Sequence, residues 1–249
     1  MSEKTLFLAW QDRKPSRAWF PVGQLDANVE QSMYRFRYIN GAKKAKKEGF
    51  TPLLDFPDLK GDYRSSELFP LFKNRVMNPA RPDFPDYLLS LDLPEKANPI
   101  EILARNGGTR VTDTYEVFPK LTKHVDGSFT CRFFLHGWRY INNDAKVRLD
   151  KLAEGESLFV TLELTNPATQ LAVQIQTTDY HMIGWAPRYL VHDLAKAMAN
   201  SRGLFEAKVA RLNPNTVILK QRALIEMRGH WGKHEPMSSK DFQLLAPQD

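Results

Sequence analysis

The sequence is poor in the residues that cross-link chains, ligate metals or cross bilayers. Its 249 residues include one cysteine, Cys131, which excludes an internal disulfide and any multi-cysteine zinc or iron–sulfur site. No apolar run approaches the ~18–20 residues of a membrane helix. The first apolar stretch, Leu6-Phe7-Leu8-Ala9-Trp10, is short and lacks the basic lead-in and small-residue cleavage site of a signal peptide. Charge of one sign is also scarce. The 35 basic and 29 acidic groups leave +6, divided as 20 against 16 over residues 1–124 and 15 against 13 over residues 125–249. Neither half is a basic arm, so any polyanion site must be assembled by the fold. A cytoplasmic chain without membrane contact is expected.

Catalytic signatures are absent as well. There is no Gly-x-x-x-x-Gly-Lys-Ser/Thr loop, dinucleotide fingerprint, Gly-x-Ser-x-Gly elbow or His-Glu-x-x-His pair. Asp55 and Asp58 lie in a proline-rich stretch with nothing to oppose them. His230 and His234 have a spacing that would share a helix face, but Gly232 between them argues for a solvated tail instead. Cys131 falls in an apolar strand pattern and reads as a small core residue. The expectation is a protein that is no enzyme, with no catalytic residue, no metal and no cofactor.

What is present divides the chain. Nine of the 16 prolines lie between Pro52 and Pro119; each removes a backbone donor, so this stretch reads as short helices and irregular connections. Ser65-Ser66-Glu67 before Leu68, Leu71, Phe72 and Val76 predicts a capped helix. Asn98-Pro99 through Gly107 predicts another, with an asparagine cap, a proline first turn and a glycine stop. Lys43, Lys44, Lys46 and Lys47 form the one dense basic run; it is either a solvated helix face or loop, or a set of additional phosphate contacts.

From about Phe129 the pattern changes to strands. Ser128–Leu135, Leu158–Leu164, Leu171–Gln176 and His181–Trp185 alternate or carry β-branched residues between turn signals. A short helix is expected over Ala145–Leu152, and Pro187–Asn200 is amphipathic at helical period with Gly203 beyond its end. Phe205–Leu212 and Val217–Arg228 read as a closing hairpin. The fold class expected is α+β, mainly antiparallel β, with a boundary near residue 125. The expected division is residues 1–125, residues 126–234 and a tail over 235–249.

Two motifs in the second half repeat one chemistry. Gly137-Trp138-Arg139-Tyr140 sets a guanidinium between aromatics at a strand end, and Gly184-Trp185-Ala186-Pro187-Arg188-Tyr189 does so at a helix start. Rings can stack unpaired bases while arginine meets phosphate, and the first turn of a helix adds unpaired donors. The same residues also suit core aromatics with arginines on the rim.

With Leu162-Glu163-Leu164-Thr165-Asn166-Pro167 and Ala172-Val173 between them, these motifs resemble, over residues 131–230, the HIRAN domain of Rad5-like and helicase-like transcription factor remodellers, also found alone in bacteria. The resemblance implies an OB-like barrel that binds DNA, single strands and 3′ ends preferred. Positions matching Arg139, Tyr140, Asn166 and Arg188 would contact terminal nucleotides, and with Trp138, Trp185 and Tyr189 of the two motifs they make up the expected DNA-binding set. The family pattern has an aspartate where this chain has Thr169 and an aromatic where it has Ala168, so selection for a free 3′ end is expected to weaken.

Residues 5–120 resemble the N-terminal subdomain of HipA-type toxin kinases at Leu6–Trp10, Val22-Gly23-Gln24-Leu25, Tyr34–Tyr38, Phe50–Leu53 and Leu68–Phe72. That resemblance implies a small β-barrel with helices that docks a protein partner. Two readings follow: a DNA-binding protein with a partner-docking first domain, or an antitoxin-like subunit that binds a HipA-like kinase.

Overall fold

The computed structural model describes residues 3–14, 17–200, 205–217 and 219–245. The chain separates into two units. One comprises Met1–Leu89, Leu93–Lys120 and Met237–Asp249; the other comprises Ser90–Asp92 and Leu121–Pro236. Both are antiparallel sheets with short helices, as the sequence pattern predicts. Among the described residues no helix is long and apolar enough to cross a membrane.

In the first unit β1 (Lys4–Gln11), β2 (Trp19–Asn28) and β3 (Met33–Tyr38) precede α1 (Gly41–Lys47). Then come β4 (Asp62–Ser65), α2 (Pro70–Lys73), α3 (Phe84–Ser90), α4 (Pro99–Asn106) and β5 (Tyr115–Pro119). The sheet order is β4-β3-β2-β1-β5. β1 is apolar on consecutive residues because both of its faces are covered. Leu6 and Leu8 enter the main core, while Phe7 packs on Phe118 and Phe242 with ring centroids 5.7 and 4.8 Å away. At the centre of the core the Tyr38 hydroxyl donates to the Phe56 carbonyl and accepts from the Leu53 amide, each at 2.8 Å. Buried polar groups need such partners.

Helix α4 follows its sequence signals. Asn98 accepts from the Ile100 and Glu101 amides, Glu101 reaches back to the Asn98 amide, and Gly107 ends the helix with φ 74°. The helix expected after Ser65 is shorter than its apolar pattern. Pro70 disfavours helical backbone at Phe69, so α2 spans one turn from Pro70, and Ser65 only accepts from the Glu67 amide at 3.0 Å. The tail expected over 235–249 is in part an element of this unit. Leu244 bridges Ile39, and the Leu245 amide donates to the Tyr38 carbonyl at 3.0 Å. Phe242 accounts for this placement, since it covers the outer face of β1.

The second unit runs β6 (Ser128–Phe134), a 3-10 turn (Trp138–Tyr140), α5 (Asn143–Asp150), β7 (Ser157–Asn166), β8 (Gln170–Thr177), β9 (Met182–Trp185), α6 (Arg188–Asn200), β10 (Glu206–Leu212) and β11 (Ala223–His230). Its order is β6-β11-β10-β7-β8-β9. A bridge between His136 and Trp185 joins the chain after β6 to β9, which closes the six strands into a barrel. Phe133, Val173, Ile175, Ile183, Leu224 and Met227 are buried in it. Helix α5 starts two residues before the expected Ala145, because Asn142 accepts from the Ala145 amide at 2.8 Å and caps it. Gly203, expected to end α6, lies outside the described residues.

The His230–His234 segment is not a solvated tail. Trp231 is fully buried and stacks on Phe129 with centroids 4.0 Å apart. His230 Nε2 meets the Asp126 carbonyl, whereas His234 Nε2 meets Asp193 Oδ1 at 2.7 Å. The two histidines therefore serve different partners. No cluster of His, Cys, Asp or Glu suited to a metal occurs among the described residues.

Candidate nucleic-acid interface

The closure of the barrel builds the site. Trp185 ends β9, and its backbone exchanges hydrogen bonds with His136, the two N···O distances being 2.9 and 3.0 Å. Gly137 follows with φ 74°, a conformation that costs L side chains about 1–2 kcal/mol. A Cβ there would lie 2.3 Å from Trp185 Cε3, so the glycine also lets the indole close against the backbone. The chain then turns through Trp138, Arg139 and Tyr140. The Arg139 guanidinium lies over the Trp138 ring, 5.4 Å from its centroid, and Tyr140 is 80% exposed.

Glu163 is the hub on the other side of Trp185. One carboxylate oxygen accepts from the Trp185 indole N–H at 2.7 Å and from Asn166 Nδ2 at 2.9 Å. Burial opposes ionisation of Glu163, but hydrogen bonds from Asn166, Trp185 and Gln174 outweigh it, so the carboxyl lies below its usual range. Asn166 is fixed in turn. Its Oδ1 accepts from the amides of Ala168 and Thr169 and from the Thr169 hydroxyl, each at 3.0 Å. The Thr169 side chain therefore faces the hairpin's own asparagine.

Arg188 and Tyr189 open α6 directly after Pro187, both half-exposed. The charges of Arg188 and Lys220 reach His136: its own burial first, then those two cations, lower its pKa to about 4. The imidazole is thus neutral at physiological pH inside a positive field. The barrel brings Trp138, Arg139, Tyr140, Asn166, Trp185 and Arg188 around one strand junction. Neither indole is sealed in the core, each being half-exposed. An arrangement of open rings, guanidinium groups and a helix start can stack an unpaired base and neutralise a phosphate.

The lysine run lies on α1 of the first unit. All four side chains are exposed, Lys44 pairs with Asp241 at 2.7 Å, and Lys43 donates to Asn40. Cys131 is half-buried on β6, and burial together with nearby Glu226 pushes its thiol up to about 12. Two residues coupled to this junction were not singled out from the sequence, Glu163 through hydrogen bonds and Lys220 through its charge on His136. Glu163 lies within a quoted motif, and the signal for it was the two-residue period of β7, which puts it on the face of Thr161. Lys220 sits in the loop between β10 and β11, where no local pattern marks it.

Of the comparisons with known proteins, the one against protein families falls within the second unit. Residues 128–227 match the HIRAN domain family. No curated protein matches the chain. Among solved structures, a Lactobacillus plantarum protein is 21% identical over 42% of this chain and 100% of its own, with a TM-score of 0.32. The HIRAN domain of human HLTF is 18% identical over 45% of this chain and 79% of its own, with a TM-score of 0.29.

Proposed function

We propose that the HIRAN domain at residues 128–227 makes this chain a DNA-binding protein that grips single-stranded or frayed DNA without catalysing a reaction on it. The observation that supports this reading is the junction at Trp185, where half-exposed indoles and two arginines share one strand crossing. Trp138, Trp185 and Tyr140 would stack unpaired bases, and Arg139 and Arg188 would meet phosphates, with Asn166, Tyr189 and Lys220 at the margin. Thr169 brings no carboxylate to a terminal hydroxyl, so a free 3′ end adds little to affinity. The first unit would serve as the docking module for a protein partner, a role tested by co-purification.

The direct test is an oligonucleotide panel that varies strandedness and the 3′ terminus. Single strands should bind more tightly than blunt duplex, and a 3′-phosphate should bind as well as a 3′-hydroxyl. With about 3–5 phosphates neutralised, the log–log salt slope should be about −2 to −3.5. Binding that ignores salt, or that is absent for every oligonucleotide, refutes the reading.

A further inference from the structure

The outer face of β7 and β8 carries a second aromatic pair that the core does not use. Phe159 and Tyr180 are 39% and 78% exposed, and their rings lie 5.6 Å apart. Tyr180 sits in the β8–β9 turn with φ 67°, a conformation uncommon for a bulky residue. Phe159, Thr161 and Glu163 alternate along one face of β7. Their partners across the ladder extend that face: Gln176 opposite Phe159, Gln174 opposite Thr161, and Trp185 opposite Gln174.

The side chains between the two aromatic sites are already joined. Gln176 donates to the Thr161 hydroxyl at 3.2 Å and to Gln174 Oε1 at 3.1 Å, and Gln174 in turn bonds Glu163. A row of fixed amides thus leads from the Phe159–Tyr180 pair to Trp185, over about 13 Å of strand. Amides offer both donors and acceptors to base edges. On β10, the strand that pairs with β7, Lys208 is already paired with Glu226.

We propose that Phe159 and Tyr180 form a second stacking platform, and that the amide row between it and Trp185 is a track for the bases of a continuing single strand. This rests on the DNA-binding reading of the Trp185 junction and extends its footprint. The occupant is a polynucleotide rather than a protein because the face joins rings to a polar row continuous with that junction.

The test compares thymidylates of about three and about twelve nucleotides, within the size range of such barrels, on the full chain. Wild-type protein should bind the longer one at least about tenfold more tightly. The double variant Phe159→Ala/Tyr180→Ala should lose about tenfold on the long oligonucleotide and nothing on the short one. Phe159→Tyr should retain both affinities, and the double variant should remain folded at the assay temperature, as its thermal midpoint reads. Equal loss on both lengths, or no loss on either, overturns the platform while leaving the parent reading intact. A double variant that changes only sedimentation assigns the face to self-association and also overturns it. Wild-type protein that binds neither length refutes the parent reading, and this one with it.

Discussion

Replacing Gly137 by alanine tests how the junction is built, because two separable penalties meet there. The first is conformational: φ 74° costs a side-chain-bearing residue about 1–2 kcal/mol. The second is steric. The new Cβ would stand 2.3 Å from Trp185 Cε3 and 2.7 Å from Cζ3, and the indole cannot swing away freely while its N–H is bonded to Glu163. Overpacking of this kind costs about 1–3 kcal/mol. Gly137→Ala should therefore destabilise the second unit by about 2–5 kcal/mol. Gly155 is the control: it has φ 84° and nothing within 4 Å of a built Cβ, so Gly155→Ala should cost only the first term, about 1–2 kcal/mol. Hydrogen exchange at the amides of β8 and β11 reads the opening of this unit separately from the first. The difference between the two variants isolates the ring contact. Oligonucleotide affinity should fall for Gly137→Ala and stay unchanged for Gly155→Ala. Equal destabilisation by the two variants would refute the claim that Gly137 exists to seat Trp185.

Arg139→Ala and Arg188→Ala should each weaken single-strand binding by about 1–3 kcal/mol in fluorescence anisotropy, as expected for charge-assisted phosphate contacts; unchanged affinities would remove both from the interface. Cys131, its thiol pushed up to about 12, should react with a disulfide reagent at neutral pH far more slowly than free cysteine, and rapid labelling of the folded protein would contradict that upward shift. Stability should decline with acid in two windows. His136 has a folded pKa of about 4 against about 6.5 when unfolded, so the unfolded state binds the extra proton and stability is lost as pH falls between those values. Asp62 and Asp179, each lowered to about 2 chiefly by hydrogen bonds from Arg35 and Arg148 respectively, add a second loss between about pH 4 and 2. Urea unfolding at a series of pH values checks both, and His136→Asn should abolish the upper window alone.

The strands of the second unit were legible because their signals are local. β7 is an alternating run broken at Asn166-Pro167 and β8 runs from there to the turn at Thr177-Thr178-Asp179, and the structure places them at Ser157–Asn166 and Gln170–Thr177. Helix α4 was legible for the same reason, its cap, proline and glycine all lying within ten residues. What failed was whatever depends on pairing across long sequence separations. Nothing near Leu244 announces a bridge to Ile39, and the Trp231 indole reads as tail until Phe129, about a hundred residues earlier, is seen stacked on it. The one-turn α2 marks a different failure. Its apolar spacing suits a longer helix, but the constraint that Pro70 places on Phe69 outweighs a preference summed over a few side chains.

The residues of the candidate site stand out in the sequence as types, but the hydrogen bonds that link them do not. Trp138, Arg139, Trp185 and Arg188 are conspicuous in the sequence, whereas the group that ties Trp185 to Asn166 is an unremarked glutamate on a strand. Glu163 also gives the departure at Thr169 a physical meaning. Asn166 Oδ1 takes three donors from the hairpin, one of them the Thr169 hydroxyl, while Asn166 Nδ2 is committed to the Glu163 carboxylate. An aspartate at 169 could not donate to that oxygen and would bring a second negative charge toward Glu163, whose hydrogen bonds favour its ionised form. Threonine satisfies the same asparagine without that repulsion. The residue that reads as the loss of a ligand contact is thus, within this chain, a donor that completes the hairpin beside the indole.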